Sequence, residues 1–386
     1  MPRLAGISLA LVIVVSLVAA VIAIDTVKIG KSLALGALFG IVLQRSRFCF
    51  LCHTRDFLSH GDARGVAAIL LALAVGTLGY HVILTTWLPD PASGRLPPDA
   101  HIGPAGPVLA IAAAVFGVGM AISGSCISGH LYRLGEGSPT APFALLGTLL
   151  GFGLGFLTWN SLYLSSIATA PVVWLPAHLG YAAWLLLQLA VLAGLAALLA
   201  SRAKLAQPPN ERDPGASALR HALRRILYDR WPATVGGAAV GVLAAVAYFQ
   251  VQPVGVTAAL GSAARSLLAR ADALPETLHG LDGFAGCRTA LVEGLTPNGA
   301  FILGLVLASF AAALIAGQFS PSLPTRSQIT RGIGGGLLLG WGAMTAIGCT
   351  IGTLLSGTIT GAASGWIFLL GSFAGVAVTP KLLNGR

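Results

Sequence analysis

This chain has very little charge. Only 9% of its 386 residues are Asp, Glu, Lys or Arg, against roughly 25% in a soluble domain. Acidic residues are the scarcest, 13 against 23 Lys and Arg, and none falls inside a long apolar stretch. That argues against a proton or sodium relay built on buried carboxylates and against an oxygen-lined site for a hard cation. Cysteine is sparse as well. The five, Cys49, Cys52, Cys126, Cys287 and Cys349, are an odd number. Only Cys49 and Cys52 stand at CxxC spacing, with no second pair, so neither a zinc site nor a disulfide scaffold is indicated. The net charge of +10 carries no sign of nucleic-acid binding, because seven basic residues between Arg202 and Arg230 lie in one hydrophilic linker. No cofactor motif is present.

What the chain does have is apolar length and glycine: 55% hydrophobic residues and 50 glycines. A polytopic membrane protein fits this balance. Apolar stretches lie near 5–24, 29–44, 65–88, 107–124, 141–164, 179–201, 233–250, 299–316, 332–347 and 361–379. The first exceeds a signal-peptide core and reads as a retained span. Several others fall short of the ~20 residues needed to cross the hydrocarbon. Four of these, 29–44, 107–124, 233–250 and 332–347, run into loops bearing glycine or cysteine. Half-helices meeting broken backbone explain them better than ideal spans.

With the N-terminus placed inside and all ten stretches crossing, 17 of the 23 basic residues fall on the inner side. This positive-inside bias puts the linker and both termini in the cytoplasm.

One segment occurs twice. Gly117–Leu131, GVGMAISGSCISGHL, and Gly340–Leu354, GWGAMTAIGCTIGTL, lie 223 residues apart and share Gly117/Gly340, Gly119/Gly342, Cys126/Cys349, Gly129/Gly352 and Leu131/Leu354. The first half, about 29–164, holds four apolar segments and the second, about 233–379, four more, with the single span 179–201 between them, so the second unit starts from the opposite face. The expected fold is an all-α polytopic membrane protein. Two inverted, pseudo-symmetric halves bring short broken or re-entrant helices to a central constriction. The expected organisation is an N-terminal helix over 1–28, a first half over 29–201, a basic cytoplasmic linker over 202–231 and a second half over 232–386.

Chemistry is expected in four loop-like segments: Gln44–Asp56, Ser123–Ser138, Gly283–Gly294 and Gly348–Gly361. Each holds one of Cys49, Cys126, Cys287 and Cys349. A thiol is a weak donor and a soft acceptor, suited to a polarizable sulfur-bearing anion. Glycines and helix N-termini let backbone N–H groups replace the water such an anion loses. Candidate relay residues are therefore Cys49, Cys126, Cys349 and Cys287. Arg47, Gly124, Ser125, Gly129, Gly286, Arg288, Gly348 and Gly352 are their supports. Cys126 and Cys349 are expected to meet at the constriction. Cys52 reads as a packing residue facing a neighbouring helix, and His53, His60 and His130 as surface or loop residues rather than metal ligands.

The motifs RSRFCFLCHTRDF, GVGMAISGSCISGHLYRLGEGS, GFAGCR and GWGAMTAIGCTIGTLLSGTITGA occur in this order and span most of the chain from about residue 30 to 380. They resemble the YeeE/YedE family of sulfur-compound transporters. The resemblance implies a bacterial inner-membrane permease of hourglass-like shape, and a substrate such as thiosulfate. It also implies a non-covalent relay through Cys49, Cys126 and Cys349, and a small cytoplasmic sulfur-carrier protein as partner. Two alternatives stand beside it: a selenium-compound transporter, and a membrane sulfurtransferase with Cys49 or Cys287 as the reactive thiol.

Overall fold

The computed structural model describes residues 3–24, 26–202, 224–284 and 289–384. Among them the secondary structure is helical, with two isolated β-bridges and no strand. Nine helices are long and apolar enough to cross a membrane, or ten when one bent pair counts as a span. The chain is a multi-pass membrane protein, as its composition required.

The first helix, α1 (Arg3–Ala23), is apolar along its whole length and mostly exposed, as expected of a lipid-facing span. The first half then consists of α2 (Val27–Ser46), α3 (Phe50–His60), α4 (Arg64–Trp87), α5 (Pro107–Ser123), α6 (Ile127–Gly135) and α7 (Ala141–Leu162). A short α8 (Leu175–Leu179) and the long α9 (Tyr181–Arg202) lead to the linker. The second half holds α10 (Ala233–Gln250), α11 (Thr257–Arg270), α12 (Pro297–Ile315), α13 (Arg326–Thr345), α14 (Thr350–Thr360) and α15 (Ala363–Asn384).

Local chemistry sets several ends. Proline opens α5, α7 and α12 at positions that have no N–H to lose. Thr325 and Gln328 form a reciprocal capping box at the start of α13. Gly124 ends α5 in the left-handed conformation, its N–H returning to the Met120 carbonyl at 2.8 Å.

Packing between the halves is reciprocal. α2 packs on α12 and α4 on α10; α5 packs on α15 and α7 on α13; α3 meets α15 and α7 meets α11. Exchanging the halves turns each pairing into its partner, and α5 against α13 maps onto itself. The matched helices run in opposite directions. Lys31 at the start of α2 donates to Gln250 at the end of α10 (2.6 Å). At the other end of α2, the Trp231 N–H just before α10 donates to the Arg45 carbonyl (2.9 Å). A Cβ on Gly119 would fall against the Gly335 carbonyl, while one on Gly342 would meet Ala112 and Phe116, so α5 and α13 are antiparallel too. The repeat is inverted.

Two polar layers mark the two faces. On one, Gln44 bridges Glu136 (3.2 Å) and Gln318 (2.9 Å), and Arg45 donates to the Asp229 carbonyl. On the other, Tyr181 and Tyr248 donate to the carbonyls of Leu88 (2.6 Å) and Pro98 (2.9 Å). Helices approach closely where glycines remove side chains. A Cβ on Gly151 would reach the Leu337 carbonyl and the Trp341 N–H, which is how α7 and α13 come within backbone contact.

Candidate functional site

Three of the predicted relay cysteines occupy the same structural position. Cys49, Cys126 and Cys349 are the N-caps of α3, α6 and α14. Each is the second residue after a left-handed one: Arg47 (φ 49°), Gly124 (φ 88°) and Ile347 (φ 52°). The left-handed residue breaks the incoming helix, the next two turn the chain, and the outgoing helix starts at the thiol. Each sulfur thus sits at a helix N-terminus, where unpaired N–H groups point outward. Glycine accepts φ > 0 readily, but arginine and β-branched isoleucine do so at a cost. Such strain is characteristic of sites where geometry is over-determined.

All three thiols are buried. Cys126 and Cys52 are neighbours of Cys49, whose sulfur lies 3.4 Å from Ser125 Oγ. Cys126 lies 3.3 Å from Ser128 Oγ, and the Gly129 N–H faces its sulfur. Gly129 matters through what it lacks: a Cβ there would fall on Ser125 Oγ and within 3.3 Å of both the Cys49 and Cys126 sulfurs. In the other half, the N–H groups of Ile351 and Gly352 and both the N–H and hydroxyl of Thr257 face the Cys349 sulfur. Gly348 is similarly constrained, since a Cβ would collide with the Thr353 side chain.

A cavity of about 370 Å³ connects the halves. Cys126 and Ser128 line it from α6, Phe48 and Phe50 from the Cys49 turn, and Thr350 and Ile351 from the start of α14. A second cavity, about 460 Å³, lies on the opposite side of the Cys349 turn. Its floor is Thr345, Ala346, Ile347 and Thr353, and its walls come from the loops around His101 and Ala170. The Cys349 turn therefore borders both cavities, with Ile347 and Thr353 lining one and Thr350 and Ile351 lining the one that holds Cys126.

The structure brings Cys49, Cys52 and Cys126 together and sets Cys349 across the central cavity beside Thr257. Ser125, Gly129 and Gly352 lie against the thiols as expected. Arg47 does not: its half-exposed side chain turns toward Glu136 (3.8 Å), so its link to Cys49 is its backbone conformation. Gly286, Cys287 and Arg288 lie outside the described residues. His130, read as a surface or loop residue, is instead buried (2% exposed), with Nε2 3.1 Å from Ser123 Oγ. It belongs to α6, in which Ile127 to Tyr132 are all buried.

Sequence reading passed over Arg133, Ser128 and Thr257 and took Cys52 for packing. Cys52 is not mere packing, because Arg133 donates Nη2 to its sulfur (3.0 Å) and Nη1 to the Gly124 carbonyl (3.0 Å). Arg133 lies seven residues beyond Cys126, two helical turns along one face, which was a usable signal. Ser128 and Thr257 carry no sulfur, so a search led by cysteine passes over them. Among the described residues, no group of three or more His, Cys, Asp or Glu could hold a metal.

The arrangement offers soft donors, backbone N–H groups and no carboxylate, which suits a polarizable anion. The family model described as sulphur transport matches residues 45–378. The chain belongs to the YeeE/YedE family of sulphur-transport proteins. Among its relatives is the thiosulfate transporter TsuA of Spirochaeta thermophila, 30% identical over 89% of this chain and 97% of the relative. The Escherichia coli protein of the same name is 25% identical over 92% and 95%. The probable transporter YedE of Escherichia coli is 27% identical over 36% of this chain and 32% of its own length. This YeeE/YedE member is a membrane transporter of sulfur compounds rather than an enzyme, and the sulfurtransferase reading falls away.

Proposed function

We propose that this protein imports thiosulfate, or a closely similar sulfur oxyanion, across a bacterial inner membrane without a covalent step. The observation that carries the reading is the repeated N-cap thiol. Three buried cysteines stand at three helix starts, and a cavity joining the inverted halves is lined by Cys126 and by Phe48, Phe50 and Thr350, the chain neighbours of the other two. Similarity to the thiosulfate transporters over nearly their whole length adds to it.

The anion enters the outer cavity and reaches the Cys349 turn. There, N–H groups at the start of α14 replace part of its hydration shell. It crosses the central cavity to Cys126, is handed to Cys49 across Gly129, and leaves on the basic face. A neutral S–H donates to the anion, whereas a thiolate would repel it.

Both termini lie in the cytoplasm in this reading, since the linker and most Lys and Arg share one face. A small cytoplasmic sulfur-carrier protein is the partner that the basic face would receive. A selenium oxyanion would use the same soft contacts.

Uptake of thiosulfate carrying distinct isotopes at its two sulfurs tests the reading. Cells lacking their own importers should accumulate both labels in the starting ratio. Entry of the outer sulfur alone, or a persulfide persisting on Cys49, Cys126 or Cys349 during uptake, would overturn it.

A further inference from the structure

The inverted repeat has four broken elements, yet the described thiols stand at only three helix starts. Under exchange of the halves, α2 and α3 correspond to α10 and α11. The place of Cys49, at the start of α3, therefore falls at the start of α11. Val256 is the N-cap there, and Thr257, the next residue, is the first of the helix and buried (2% exposed). The equivalence extends to contacts. Cys49 faces Cys126, the cysteine of the first copy of the repeated segment. Thr257 adjoins Cys349, the cysteine of the second. Each half thus supplies one pair across its own broken helices: thiol with thiol in the first, hydroxyl with thiol in the second.

We propose that Thr257 is the fourth station of the central layer, a substrate-contacting residue that grips the oxygen end of the anion while Cys349 holds its soft sulfur end. The inference rests on the relay reading above.

The chemistry follows from the two donors. A hydroxyl is a hard donor that matches an oxyanion oxygen, and a thiol is a soft, weaker one. An anion with both kinds of terminal atom is oriented by a hydroxyl–thiol pair and not by two like groups. The α11 N-terminus adds N–H groups on the same side. The chain entering α11 is held in place, because Ser356 of α14 donates to the Val254 carbonyl (3.3 Å). The α11 and α14 starts therefore keep a fixed spacing. The second half, which borders the outer cavity through the Cys349 turn, selects and orients. The first half, with its two facing thiols, passes the anion on.

Replacement of Thr257 by Val, Ser and Cys tests this, with [35S]thiosulfate uptake measured in importer-deficient cells and the amount in membranes checked by immunoblot. Val matches the shape of threonine and lacks the donor, so it should cut uptake roughly tenfold or more, the size of a lost hydrogen bond to a charged group. Ser should retain most uptake. Cys, which puts a thiol at this helix start too, should stay active with a raised KM. If Thr257 served only packing, the order would reverse, with Val closest to wild type and Ser and Cys worse. That order overturns the proposal, as does wild-type uptake by all three. Cys349→Ala, assayed in parallel, separates the readings. Loss in Cys349→Ala with normal Thr257→Val leaves the relay standing and sinks Thr257 alone. Normal uptake by Cys349→Ala sinks both.

Discussion

Cys49 and Cys126 face one another over a bare α-carbon: a Cβ on Gly129 would lie within 3.3 Å of either sulfur. Residues 77 positions apart in sequence thereby share one contact surface, and the residue between them is small by necessity. Gly129→Ala should close that surface. Alanine favours a helix by about 1 kcal/mol over glycine, which offsets part of the clash with Ser125. The variant should reach the membrane in near-normal amount and lose most thiosulfate uptake. Normal uptake would show that the anion does not pass between these thiols.

Removing the sulfurs themselves is the direct test. Cys126→Ala and Cys349→Ala should each abolish uptake while costing about 1 kcal/mol of stability or less, because one atom is lost where a Leu→Ala change loses three. Serine decides which property matters. If soft contact is needed, Cys→Ser fails nearly as badly as Cys→Ala; if only donation is needed, Ser rescues. Full transport by the Cys126→Ala/Cys349→Ala double variant would return these residues to packing.

Arg47 gives a case where structure and charge point to different outcomes. Its left-handed backbone costs a non-glycine residue about 1 kcal/mol, whereas its half-exposed pairing with Glu136 at 3.8 Å contributes at most about 1 kcal/mol. Asparagine tolerates the left-handed region. Arg47→Asn should therefore leave the unfolding temperature in detergent unchanged or slightly raised, with uptake near wild type. A large loss of uptake at unchanged stability would restore the guanidinium to the substrate path.

The interface between the halves depends on backbone contact. A Cβ on Gly340 would fall on the Thr148 carbonyl, and its neighbours Phe152 N and Gly151 C lie 2.8 and 2.9 Å away. Gly340→Val should force α13 from α7 and destabilise by about 3 kcal/mol, at the upper end of overpacking costs. Reduced membrane yield is the expected readout. Gly334, which has nothing within 4 Å of its Cβ position, is the matched control, and Gly334→Ala should be neutral.

Much of the architecture was legible in the residues. Apolar runs separated by polar ends define spans because hydrocarbon tolerates few charges, and this chain has few to misplace. The 223-residue repeat announced two related units, and the single intervening span implied inversion. The four short apolar stretches at 29–44, 107–124, 233–250 and 332–347 do open the four broken elements, though α2 and α13 begin earlier and reach 20 residues each. Their boundaries blurred because Lys28 and the polar stretch Arg326–Arg331 interrupt a hydropathy reading, yet are helical in context.

The site was only half legible, for a physical reason. Composition and local pattern identify which residue types could hold a soft anion, and the sequence by itself pointed to cysteines, glycines and helix starts in the absence of buried carboxylate. Which groups face each other depends on how the inverted halves dock, and no local pattern carries that. Tertiary structure alone decided that Cys126 faces Cys49, that Arg133 reaches back to Cys52, that Arg47 turns away, and that Cys349 stands beside a threonine. These pairings arise where antiparallel helices approach to backbone contact across glycines, so the partners are chosen by distance in space between segments far apart in the chain.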